Sequence, residues 1–156
     1  MPVIRLETQI SAPLERVFDL ARSIDLHKLS ATGTNEEAIS GKISGLIELN
    51  ETVTWRAKHL GFYQNLTVKI SQFERPSTFT DTMLKGAFAS MKHTHQFKIS
   101  GNGTKMTDIF EYKSPLGLFG KIADIIFLEN YMRKFLITRN KELKTIAEGD
   151  SWETLI

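Results

Sequence analysis

The 156-residue sequence has no cysteine, which excludes disulfides, thiolate nucleophiles and thiolate metal sites together and fits a reducing cytoplasm. An excess of charge of one sign is missing too. Twenty basic and 18 acidic side chains leave a net charge of +2, too little for a strong field around the molecule, so charge names no partner. Long apolar runs are absent as well. The stretch from Leu116 to Leu128 is interrupted by Lys121 and Asp124 and falls short of the roughly 20 residues a membrane span needs. It reads as a core helix or a surface contact, without stable membrane insertion. Met1 to Ile10 lacks the basic head and apolar run of a secretory signal, so the sequons at Asn50, Asn65 and Asn102 read as coincidence. No repeat, low-complexity tract, linker or cofactor fingerprint is visible.

A hydrophobic fraction of 41% and a charged fraction of 24% describe an ordinary globular chain. The expectation is one domain over residues 1–149, followed by a tail at 150–156 in which Trp152, Leu155 and Ile156 are able to pack. Val3 to Ile10 alternates with period two, as a half-buried strand does. Ser11 is placed to cap the next element, where Pro13 and apolar residues at 14, 17, 18, 20 and 21 describe a short helix. A second short helix covers Asp25 to Leu29. Ser30 to Gly45 is polar and glycine-containing, with a short strand around Glu36 to Ser40, and reads as a mobile entrance. Five alternating strands follow, over Leu46–Leu60, Phe62–Phe73, Thr78–Lys85, Met91–Ile99 and Lys105–Lys113, in an antiparallel meander. After Ser114-Pro115, apolar residues from position 122 to 146 recur at helical spacing and predict a closing helix of about 30 residues.

Strand parity separates an inner from an outer face. A two-residue turn at Asn102-Gly103 would pair Ile99 with Met106, Phe97 with Asp108, His95 with Phe110 and His93 with Tyr112. That face is aromatic, apolar and histidine-bearing, whereas Lys92, Thr94, Gln96 and Lys98 face solvent. The same parity turns Val53, Trp55, Ala57 and His59 inward, with Phe62, Gln64, Leu66, Val68 and Ile70 on the next strand. Phe79, Asp81 and Met83 follow on the third. Thr80 and Thr82 go outside with Thr54, Arg56, Lys58, Tyr63, Asn65 and Lys69. Asp81 then meets His95, or His93 after a slip of two, and Asp108 is a diagonal neighbour of His95 roughly 7 to 8 Å away. Polar groups in such a row must be paired, wetted or meant for a ligand, because burying each unpaired costs roughly 1 to 3 kcal/mol. Three readings stay open. The row is a structural Asp–His network, or it orients the polar end of an apolar ligand, or His93-x-His95 with Asp81 or Asp108 holds a zinc ion, although no pattern of groups that would orient such ligands is visible.

The element order resembles the SRPBCC superfamily, the START-related and Bet v 1-like group that includes polyketide cyclases. The resemblance spans Val3 to Gly149. Its recognisable pieces are Ser11-Ala12-Pro13-Leu14-Glu15-Arg16-Val17-Phe18 and Ser114-Pro115-Leu116-Gly117. It implies an α+β helix-grip fold, a curved antiparallel sheet wrapped around a long C-terminal helix with two short helices after the first strand. Between sheet and helix it implies a cavity for a small hydrophobic ligand, lipid-, polyketide- or quinone-like. The chain departs from the plant allergen branch in lacking its glycine-rich loop. The greasy wall would comprise Trp55, Phe79, Met83, Phe97, Phe110 and Tyr112, and the polar row His59, Gln64, Asp81, His93, His95 and Asp108. Tyr131 and Phe135 would line the cavity from the helix. Lys134, Arg139, Lys141 and Lys144 read as the helix's solvated face; with no stacking motif beside them, nucleic acid is not expected. Two further functions remain: an acid/base enzyme acting on an enolisable ketone through Asp81, His95 or Asp108, and a module docking Leu116–Leu128 on a protein or membrane surface.

Overall fold

A computed structural model describes residues 1–31, 33–115 and 117–156, with the side chains at 120, 124 and 125 outside the description. Leu116, part of the expected docking stretch, therefore lies outside the described residues. The alternating segments form β1 (Val3–Ile10), β2 (Glu37–Gly41), β3 (Thr52–His59), β4 (Phe62–Glu74), β5 (Thr78–Lys85), β6 (Ser90–Ser100) and β7 (Gly103–Lys113). They make one curved antiparallel sheet in the order β1-β7-β6-β5-β4-β3-β2. Two short helices, α1 (Leu14–Ala21) and α2 (Ile24–Ser30), follow β1. The closing helix runs through α3 (Leu118–Ala123), a π-helical turn at Asp124–Leu128 and α4 (Glu129–Glu148). Leu46, expected to begin a long strand, makes only an isolated bridge to Ser23.

Ser11 does not cap α1. The cap position is the extended Pro13, which makes no side-chain cap bond, and the Ser11 amide donates instead to the Glu148 carboxylate at 2.8 Å. The α2 cap is built from a side chain, with Ser23 accepting from the Leu26 amide. The tail packs as well. The Arg16 guanidinium lies 4.0 Å from the centre of the Trp152 ring, and Ser23 donates to the Leu155 carbonyl.

The β6–β7 register differs from expectation by two residues. The loop is Gly101-Asn102, so Ser100 pairs with Gly103, Phe97 with Met106, His95 with Asp108 and His93 with Phe110. Gly101 takes the positive φ, at 60°. Gly103 belongs to the strand for a different reason: a Cβ there would sit 2.2 Å from the Ile10 carbonyl oxygen of β1. A slip of two preserves parity, so the inner face is composed as expected. The exceptions are local. Phe62 and Ile99, at strand ends beyond the cover of the helices, are exposed. Thr80, expected outside, is fully buried on the convex face, where it donates to Gln72 and contacts Thr94 beside a bulge in the β4–β5 pairing.

One end of the concave face is solid core. Phe18 of α1 meets Phe73, Phe79 and Phe97 edge to face at centroid distances of 5.2–5.5 Å. The other end, under α4, is open inside.

Candidate functional site: a cavity with polar clusters in its wall

Beneath α4 lies a cavity of about 300 Å³. Its walls come from β3 (Trp55, Ala57, His59), β4 (Gln64, Leu66), β5 (Phe79, Asp81), β6 (His93, His95) and β7 (Phe110). Tyr131, Phe135, Leu136 and Arg139 of α4 form the roof. Ten of the residues expected from parity and resemblance therefore border the cavity: Trp55, His59, Gln64, Phe79, Asp81, His93, His95, Phe110, Tyr131 and Phe135. Four expected with them do not. Phe97 is in the core with Phe18. Tyr112 is fully buried behind the wall, against Phe88 and Phe110. Met83 lies beside Gly86, where an added Cβ would touch its sulfur. Asp108 stands behind the histidines and faces α4, a consequence of pairing directly with His95.

That pairing organises the polar wall. Asp108 Oδ1 lies 2.9 Å from His93 Nε2 and 2.9 Å from His95 Nδ1, and its Oδ2 accepts from Asn140 Nδ2 at 2.7 Å. The second nitrogen of His95, Nε2, is 3.1 Å from Asp81 Oδ2. His95 is thus held between two carboxylates. Burial opposes its charge, but the hydrogen bonds to Asp108 and Asp81 outweigh burial and push its pKa up to about 9. His93 goes the other way. Burial, reinforced by the neighbouring His95 charge, lowers it to about 4. Burial would raise Asp108, yet its bonds to both histidines hold it well below the usual carboxylate range. At neutral pH the row is an imidazolium between two carboxylates beside a neutral histidine.

A second polar group, which strand parity does not reach, borders the same cavity. His27 of α2 stacks on Trp55 with ring centroids 4.1 Å apart. Its Nδ1 accepts from the Arg139 guanidinium, and its Nε2 lies 2.5 Å from Glu36 Oε1. With Nδ1 accepting, the remaining proton sits on Nε2 and faces Glu36. Burial first, and then the charge of Arg139, hold His27 below its ordinary pKa. Arg139 therefore does not belong to the solvated face of the helix, whereas Lys134 and Lys141 do. A signal for it existed: Arg139 continues the stripe of Met132, Phe135, Leu136 and Leu143 that faces inward along α4. Nearer the rim, His59 Nδ1 and the Tyr131 hydroxyl are 2.8 Å apart and join sheet to helix.

Asp81, His93 and His95 each bring one donor atom within 4.8 Å of the others, the donor set of a two-histidine, one-carboxylate metal centre. In this arrangement His95 already uses both nitrogens on Asp81 and Asp108. An ion would have to displace the proton between His95 and Asp81.

No protein-family model matches the sequence, and no curated protein matches it at significant similarity. Solved structures do match. TTHA0849 from Thermus thermophilus is similar at 20% identity and a TM-score of 0.75, over 92% of this chain and 95% of that one. Ginseng major latex-like protein 151 from Panax ginseng is similar at 13% identity and 0.71, over 95% and 98%. KanY is similar at 12% identity and 0.73, over 96% and 100%. At such identities the likeness establishes the architecture: the chain has the Bet v 1-like helix-grip fold. Among the described residues no helix is long and apolar enough to cross a membrane.

Proposed function

We propose that the chain binds a small, largely apolar molecule, lipid-, polyketide- or quinone-like, in the cavity between the sheet and the closing helix. The observation that carries this reading is the composition of the wall. Trp55, Phe79, Phe110 and Phe135 supply apolar surface, and the ionisable groups of the wall gather into the Asp81–His93–His95 row and the His27–Glu36–Arg139 cluster, a distribution that holds an apolar body and orients a polar end. A packing core of this size would be filled by side chains to crystal-like density.

The same histidines motivate a second reading, acid/base catalysis on an enolisable ketone. A general base needs a free lone pair, and His95 has both ring nitrogens bonded to carboxylates, which favours holding over proton transfer. The docking alternative draws on Leu118, Phe119, Ile122 and Ile126, all exposed on the first turns of the closing helix.

The decisive experiment is mass spectrometry of small molecules carried by the purified protein under native conditions. Trp55→Ala and Phe110→Ala variants are run beside it. Retention of an apolar compound, lost or weakened in both variants, is the expected result. A protein that carries nothing and takes up no apolar probe in solution would end the reading. Turnover of a ketide abolished by His95→Gln would replace it with the enzyme.

A further inference from the structure

Among the described residues, Arg139 is the one cation in the cavity wall without a carboxylate in contact. Its guanidinium donates to His27 Nδ1 and lies 5.6 Å from the centre of the Phe135 ring. Glu36, Asp81 and Asp108 attract it without bonding to it. A guanidinium has five N–H donors in a planar fork, so His27 leaves most of that capacity unused. What this site lacks is an acceptor bonded to the rest of the fork. It does not lack negative charge, because Glu36, Asp81 and Asp108 already stand around Arg139 and His95. A ligand carboxylate would add another buried anion to that group, whereas a carbonyl oxygen would accept from the fork without adding charge.

We infer that the polar end of the ligand is a neutral carbonyl, as in a ketone, ester or quinone, received by the Arg139 guanidinium at the inner end of the cavity. This rests on the cavity-binding reading and narrows its ligand class. The alkyl or ring body then lies along Trp55, Phe110 and Phe135 toward the His59–Tyr131 rim.

Three probes sharing one heavy-atom skeleton test the inference: 2-tridecanone, laurate and 2-methyltridecane. The sequence has two tryptophans, so a Trp152→Phe background leaves Trp55, in the cavity wall, as the only tryptophan reporter. At pH 8, with each probe read by the change it makes in Trp55 emission, the ketone is expected to bind with higher affinity than either the alkane or laurate. Arg139→Met should weaken the ketone about 10- to 100-fold, the range for a hydrogen bond to a charged group, and leave the alkane within about twofold. Arg139→Lys keeps the charge but not the fork and should fall between. Laurate binding most tightly in the parent protein would overturn the inference in favour of an anion site. So would equal affinities for ketone and alkane, and both comparisons need no variant. If the alkane also fails to bind, the cavity-binding reading itself falls, and the carbonyl assignment with it.

Discussion

Asp108 is almost fully buried and stays ionised because three donors from β6 and α4 meet its two oxygens. That arrangement makes folding sensitive to pH, with the sign set by His95. Its pKa rises from 6.5 unfolded to about 9 folded, so its contribution to stability is complete below about pH 6.5 and is lost as pH rises through about 9. The loss expected is on the order of 1–3 kcal/mol. His93, lowered to about 4, acts oppositely, destabilising the fold as pH falls below 6.5. Urea unfolding from pH 6 to 10 should therefore show stability declining toward alkaline pH in the parent and a flattened decline in His95→Gln. Equal slopes in the two proteins would show that His95 is not held charged. The facing of these residues was legible in the sequence, because period-two alternation sorts side chains by face whatever the register. Their partners were not. A slip of two leaves every face unchanged while exchanging each neighbour, which is how Asp108 moved from a diagonal to a direct partner of His95. Glu36, His27 and Arg139 were illegible as a group, since they come from a loop and two helices brought together only by tertiary packing.

The β6–β7 hairpin turns one residue earlier than its strongest turn dipeptide predicts. Asn102-Gly103 is a strong turn dipeptide, but the glycine at 103 is needed for the close approach of β1, and Gly101 supplies the left-handed residue instead. Local turn preference was outweighed by a contact far along the chain, which a dipeptide rule cannot register. The two glycines should respond differently to substitution. Gly103→Ala forces β1 and β7 apart against backbone atoms and is expected to cost about 1–3 kcal/mol, as overpacking does. Gly101→Asn has open space around it and a residue that tolerates positive φ, so thermal unfolding should shift little. A Gly103→Ala protein as stable as the parent would refute the steric account. The two short helices and the closing helix were read from apolar spacing almost to their ends, since each buries a stripe against the sheet. The cap of α1 was not, because the Ser11 amide bonds to Glu148, a partner more than a hundred residues away.

The whole molecule must tolerate an internal space of about 300 Å³. At about 24 cal/mol per Å³, a dry void of that volume would cost roughly 7 kcal/mol, a large part of the 5–15 kcal/mol that holds a typical domain folded. A sequence under selection for stability alone would close it with larger side chains. The small residue at position 57 is a place to do so: Ala57 is buried, lies on β3 between Trp55 and His59, and borders the cavity. Ala57→Phe would point a ring into the open volume without requiring the strands to part. If the space serves a ligand, this variant should unfold at the same temperature as the parent or higher, while losing uptake of 2-tridecanone by at least tenfold through exclusion of the chain. In a solid core the same change would overpack the wall and lower stability by about 1–3 kcal/mol. Thermal unfolding measured beside ligand uptake separates the two. Destabilisation with uptake unchanged would mean that the ligand, if any, binds elsewhere, whereas retained stability with lost uptake is the outcome that a binding cavity requires.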